Sequence, residues 1–187
     1  MSEMTPVELE AAKWFEEHWD PGRTLGEWWR DLADSGYAFP SWPVGFGGLG
    51  LDKQQTRAVI RARRQAGAYG PPNGVATFLV APTLLAAGAP EQQRRYLPGI
   101  VDGTEPWCQL FSEPTAGSDM AALGTRAVRD GEEWRVDGQK VWSSGAHYAR
   151  FGILIARTDP DVPKHRGSPT SSSKWASRAS MFDRCAR

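Results

Sequence analysis

VDGTEPWCQLFSEPTAGSDM, Val101–Met120, is where the hydrophobic period of this chain changes, and its reading decides the fold. Upstream of Gly103, apolar residues recur at helical spacing; downstream they come in short runs rich in β-formers. Within the stretch an apolar run, Trp107 to Phe111, breaks at Ser112-Glu113-Pro114. Small and hydroxylated residues follow, Thr115, Ala116, Gly117 and Ser118, before Asp119. A strand end that opens this way offers backbone N–H and C=O groups, hydroxyls that donate and accept, and close approach to the backbone. A planar heterocycle with carbonyl and imide edges could use all of these. A bare Pro-Thr-Ala-Gly turn is the other reading, and the stretch alone does not choose between them.

Working back from Gly103, the chain reads as helical. Thr5-Pro6 looks like a cap and first-turn proline for a helix that runs to Trp19 and ends at Asp20-Pro21-Gly22. A second helix spans about Leu25 to Asp34, stopped by Ser35-Gly36, and a third spans Leu51 to Ala66. Val75 to Ala87 is almost wholly apolar with Pro82 inside, which predicts a buried helix or two short ones. A last helix follows Ala89-Pro90 and runs to about Val101. Six of the nine tryptophans lie in the first 107 positions, which points to large packed surfaces or an interface.

GFGGLG, Gly45–Gly50, formally fits a dinucleotide fingerprint, but its context refutes it. Two prolines stand where a strand should precede it, and no Asp or Glu occurs between Asp52 and Glu91 to hold a ribose. It reads as a glycine-rich connection. Arg57, Arg61 and Arg64 share one face of the third helix, a solvated or acid-paired face.

Working forward, Thr125–Arg129, Glu133–Val136, Val141–Ser143 and Phe151–Ala156 read as short strands separated by RDGEE and VDGQK turns. In DGQKVWSSG, Trp142 and Ser144 stand two apart. On a strand they would share a face, an indole for a ring plane and a hydroxyl for its polar edge. The two motifs together are far more specific than either alone. Helices before strands give an α+β order. The expected organisation is an all-α domain over residues 1–103, an antiparallel, barrel-like β domain over 104–167, and a disordered tail over 168–187.

Bulk properties narrow the function. The formal net charge is zero, so no global field favours nucleic acid or an anionic membrane. His18, His147 and His165 form no metal spacing or triad, and the two cysteines, Cys108 and Cys185, form no ligand set. MSEMTPVELE lacks a signal-peptide pattern, and no apolar run reaches the ~20 residues of a membrane helix. A cytoplasmic protein is the expectation.

The segments LPGIVDGTEPWCQLFSEPTAGSDMAAL, Leu97–Leu123, and VDGQKVWSSGAHYARFGILIARTD, Val136–Asp159, resemble the flavin-dependent acyl-CoA dehydrogenase family. LADSGYAFPSWPVGFGGLG and GAPEQQRRYLPGI are similar to that family's first domain. The resemblance implies an N-terminal helical domain, a middle β domain and a C-terminal helical bundle, with FAD between the last two. It implies α,β-dehydrogenation of an acyl-CoA to a 2-enoyl-CoA in lipid β-oxidation, with electrons leaving to an electron-transfer flavoprotein, and homo- or heteromeric assembly. By the same resemblance Gln109, Phe111, Ser112, Gly117 and Ser118 would line FAD, with Phe111 and Ser112 near its pyrimidine edge. Ser118 would also touch the acyl-CoA. Trp142, Ser143 and Ser144 would flank the ring, Ser144 standing where many members have Thr.

The family's catalytic glutamate belongs to the C-terminal bundle, so no residue of this chain is assigned as the base, and the chain reads as truncated and impaired. A non-catalytic subunit that packs with a full-length homologue is the alternative. The stretch from about Ser168 reads as an out-of-frame continuation. Val-Asp-Val-Arg-Pro-Leu-Arg in suitable codons, read one base late, yields Ser-Met-Phe-Asp-Arg-Cys-Ala, the residues of Ser180–Ala186.

Overall fold

A computed structural model describes residues 4–158 and 179–183. The chain divides into two compact units, Met1–Leu84 with Ala89–Thr104, and Leu85–Gly88 with Glu105–Arg187.

The first unit is helical, as the spacing predicts. Helix α1 spans Pro6–His18, α2 Leu25–Ser35 and α3 Lys53–Gln65. Each has a side-chain cap that satisfies amides left free in its first turn. The Thr5 hydroxyl accepts from the Glu8 amide at 3.3 Å. Thr24 with Glu27, and Asp52 with Gln55, close reciprocal capping boxes. Gly36, at φ 77°, ends α2 in the left-handed conformation. Ala11, Phe15, Trp28, Leu32, Val59 and Ala62 form the core between these helices. Arg61 forks onto the Glu8 carboxylate of α1 at 2.9 and 2.8 Å, so the basic face is acid-paired at that position.

The tryptophans act as packing elements. The indole N–H groups of Trp28 and Trp29 donate to the Tyr69 and Gly70 carbonyls at 2.9 and 3.0 Å, stitching the loop after α3 onto α2. GFGGLG is a folded connection. A Cβ at Gly48 would lie 2.2 Å from the Trp42 carbonyl oxygen, and one at Gly47 2.6 Å from Val101. The apolar Val75–Ala87 run divides between Val80 and Ala81, just before Pro82. Ala76–Val80 is π-helical and α4 continues over Ala81–Ala87. Proline cannot donate to the carbonyl four residues back and its ring crowds it, so a widened turn relieves the clash. Helix α5 spans Pro90–Val101.

The second unit carries the strands β1 Trp107–Leu110, β2 Arg126–Asp130, β3 Glu133–Asp137, β4 Phe151–Ile155 and β5 Ala179–Asp183. The helical-then-strand order holds, and three details differ from expectation. First, β2–β3 and β4–β5 are antiparallel, but β1 and β4 run parallel, with Trp107 opposite Phe151. Only short hairpins force an antiparallel return, and the long connection from β1 to β4 allows the parallel one. Every residue of β4 is buried, which fits its unbroken apolar run. The described strands form a three-stranded and a two-stranded sheet, with no closed barrel among them. Second, Val141–Ser143 is not a strand. Third, part of the stretch read as a disordered tail, Ala179–Asp183, pairs along β4, whose second edge offers free ladder groups. The remainder of 168–187 lies outside the described residues.

Candidate functional site

The end of β1 and the loop after β3 meet through the backbone. The Val141 amide donates to the Ser112 carbonyl at 2.9 Å, which brings the second motif against the first. Immediately after Ser112 the chain makes a tight turn. The Glu113 amide donates to the Ala116 carbonyl at 2.8 Å, and the Ala116 amide returns to Glu113 at 3.2 Å. Ala116 points inward against Leu123 and Ile155, with Phe111 packed beside them. Thr115, Gly117 and Ser118 are left exposed.

An ion pair that sequence reasoning missed holds this junction. Lys140 Nζ donates to Glu113 Oε1 at 2.9 Å and to the Phe111 carbonyl at 3.0 Å. The Thr125 amide reaches the same carboxylate at 2.9 Å and the Gly124 amide at 2.6 Å. Both side chains are nearly inaccessible, Lys140 at 8% and Glu113 at 6%. Burial pushes the Glu113 carboxyl up, but the Thr125 and Gly124 amides and the Lys140 ammonium outweigh it and hold the group at about 2. A buried carboxylate is tolerated only when its lone pairs are met in this way. The available signal was one charged residue inside each otherwise uncharged loop segment, Glu113 in FSEPTAG and Lys140 in GQKVWSSG.

The predicted site residues fall in different surroundings. Gln109 is exposed on β1, opposite Ile153 of β4. Phe111 and Ser112 are half-buried at the junction itself. The shared-face geometry predicted for Trp142 and Ser144 does not occur. Trp142 takes φ 58°, and the Ser144 amide donates to its carbonyl at 3.0 Å, so the segment turns there instead of extending. Once Val141 has bonded to Ser112, successive turns carry the chain from Ser143 to Ala149. A left-handed conformation is costly for a bulky L-residue. Here it leaves the indole 89% exposed. Ser144 is exposed as well, whereas the Ser143 hydroxyl oxygen is buried without a hydrogen-bond partner. Gly117 has ordinary backbone angles, and a Cβ there would meet nothing within 4 Å, so the chain's own packing does not call for glycine.

The junction therefore gathers Phe111, Ser112 and the 142–144 turn through backbone hydrogen bonds. Gly117 and Ser118 stand beyond the Glu113–Ala116 turn, and no hydrogen bond links them to the second motif among the described residues. An exposed indole, a buried hydroxyl with no partner and an unfilled space over Gly117 suit a flat ligand with hydrogen-bonding edges. No group of three His, Cys, Asp or Glu residues suited to a metal occurs among the described residues. His147 is exposed and meets Tyr148 edge to face.

Comparison with known proteins adds the ancestry of both units. Residues 3–104 match the acyl-CoA dehydrogenase N-terminal domain, and residues 108–170 match the acyl-CoA dehydrogenase middle domain. The acyl-CoA dehydrogenase FadE34 of Mycobacterium tuberculosis is 47% identical over 136 residues, which is 73% of this chain and 19% of that protein. Among solved structures, the ChsE4-ChsE5 complex from Mycobacterium tuberculosis aligns with a TM-score of 0.62 and 32% identity, over 89% of this chain and 47% of that one. The Tcur3481-Tcur3483 steroid ACAD aligns with a TM-score of 0.60 and 34% identity, over 85% of this chain and 44% of that one. The chain spans less than half the length of each of these relatives.

Proposed function

The chain belongs to the acyl-CoA dehydrogenase family, and on that premise we propose that its β unit binds FAD and presents it to an acyl-CoA for α,β-dehydrogenation to the 2-enoyl-CoA. One observation carries the reading: the Ser112–Val141 hydrogen bond joins the two loops whose side chains suit a flat, edge-polar ligand. When bound, FAD supplies the two-electron acceptor for the substrate's β-hydride.

The chain's own residues hold and orient. Gln109, Phe111 and Ser112 line the ligand along the end of β1, Ser112 meeting a polar edge. The exposed Trp142 indole would pack on the ring and shield it from water. Ser143 and Ser144 offer hydroxyls to the ring's polar atoms. Gly117 lets the ligand approach the backbone, and Ser118 serves both cofactor and acyl-CoA.

Glu113 is not the base that removes the α-proton. A carboxylate held at about 2 and engaged by Lys140 and two amides is too weak a base and has no free approach. By the family resemblance the base would be a glutamate of the C-terminal bundle, outside the two matched domains. Likeness to the steroid ACAD supports a steroid-derived acyl group. A cytoplasmic enzyme of lipid β-oxidation that hands electrons to an electron-transfer flavoprotein completes the reading.

The purified chain is expected to bind FAD with a change in flavin absorbance and fluorescence, and Trp142→Ala to weaken that binding. Absence of binding by the folded chain sinks the proposal. A second reading, a non-catalytic subunit that packs with a full-length homologue, is favoured by the likeness to a two-protein complex, ChsE4-ChsE5. Co-expression with such a homologue followed by size-exclusion chromatography tests it: co-elution supports it and separate peaks refute it.

A further inference from the structure

The helical unit contains a second feature, unrelated to the flavin loops. A cavity of about 370 Å³ opens between α3, the segment after α2 and the loop leading into the π-helical turn. Its volume falls in the range of small-molecule sites. Tyr37, Thr56 and Asn73 supply polar groups and Val59, Ile60 and Phe78 the apolar wall. Phe78 is 72% exposed although it sits in an apolar run.

Among the described residues Arg63 is the one charged residue that lines the cavity, and no Asp or Glu lies in its wall. The Arg63 Nε–H is buried and makes no hydrogen bond. Burial, followed by the charge of neighbouring Arg64, pulls its pKa down, and no carboxylate opposes this. Arg61, two residues earlier on α3, shows the contrast, since it forks onto Glu8.

The position of Arg63 is built. Its guanidinium lies against Gly70, where a Cβ would stand 3.3 Å from Nη1 and 3.5 Å from Cζ. Gly70 is in turn pinned by the Trp29 indole at 3.0 Å, and Tyr69 by Trp28 at 2.9 Å. A planar, permanently charged fork, half-buried and without an acid, matches a carboxylate in both shape and charge. The surrounding wall matches an apolar body.

We propose that this cavity binds a small organic carboxylate with an apolar body, its carboxylate on Arg63 and its body along Val59, Ile60 and Phe78. The test uses the full chain without flavin and two probes of equal apolar length, octanoate and octanamide, followed by isothermal titration calorimetry. Octanoate is expected to bind about tenfold tighter than octanamide, the worth of one charge-assisted pair over a neutral one. Arg63→Gln should bring the two probes to equal affinity, and Ile60→Phe, which narrows the cavity, should weaken both. Equal binding by the unaltered chain, no binding of either probe, or a preference for octanoate that survives Arg63→Gln overturns the proposal. If Arg63→Gln does not fold, unchanged octanoate affinity in Ile60→Phe overturns it instead. None of these readouts depends on FAD, so failure here leaves the flavin reading untouched, and the reverse holds too.

Discussion

Glu113 and Lys140 hold the two loops of the β unit at their shared corner, and the cost of separating them can be stated. Removing one partner leaves a buried charge without compensation, which costs about 3–5 kcal/mol. Lys140→Met and Glu113→Gln are therefore both expected to lower the urea midpoint sharply, because each leaves the other buried group without its counter-charge. The pH dependence has a definite sign. Folding lowers the Glu113 pKa from 4.5 to about 2, so its contribution to stability is complete above 4.5 and is lost as pH falls towards 2. Acid unfolding of Glu113→Gln should show a weaker pH dependence in that window, and an unchanged profile would count against the pair. Trp142 offers a different residue-scale test. Relief of its left-handed backbone by Trp142→Gly is expected to raise stability by about 1 kcal/mol while weakening flavin binding. Opposite changes in Tm and flavin affinity are the outcome to measure; a fall in both would mean that the indole packs as a structural element.

The helices are where local sequence signals and structure agree most closely. Thr5, Thr24 and Asp52 stand at the first turns they cap, and Gly36 closes α2. A cap depends only on residues three or four positions away, so it is readable in a single chain. Thr24→Ala is expected to cost about 1 kcal/mol, and Trp28→Ala, at 1% exposure in the core, about 3–5 kcal/mol, both measurable by urea unfolding. The strands were less legible. The apolar runs of β1 and β4 announce strands, but not that they pair in parallel, since register and direction depend on the distant partner. Val141–Ser143 shows the same limit. Its composition is that of a strand, yet a single hydrogen bond from Val141 to Ser112 and the turn at Trp142 override it. β-propensity reports how well a residue suits a pleated surface, and here no neighbouring strand among the described residues supplies one.

For the whole molecule, sequence alone was enough to establish the α-then-β order, the change of period at Gly103, the exclusion of a dinucleotide loop at Gly45–Gly50 and the family membership. These depend on periodicity, on punctuation by glycine and proline, and on two long motifs. No helix among the described residues is long and apolar enough to cross a membrane. Tertiary structure alone decided how those parts meet. It paired Glu113 with Lys140 across 27 positions, left the Ser143 hydroxyl without a partner, turned Trp142 outward and set Arg63 in a cavity without an acid. Charge compensation and burial are properties of groups brought together from distant positions, so a linear pattern cannot display them. In Gln109–Ser118 and Trp142–Ser144 the sequence supplied the chemical groups. Folding determined which of them face solvent, which are tied up, and which are free to meet a ligand.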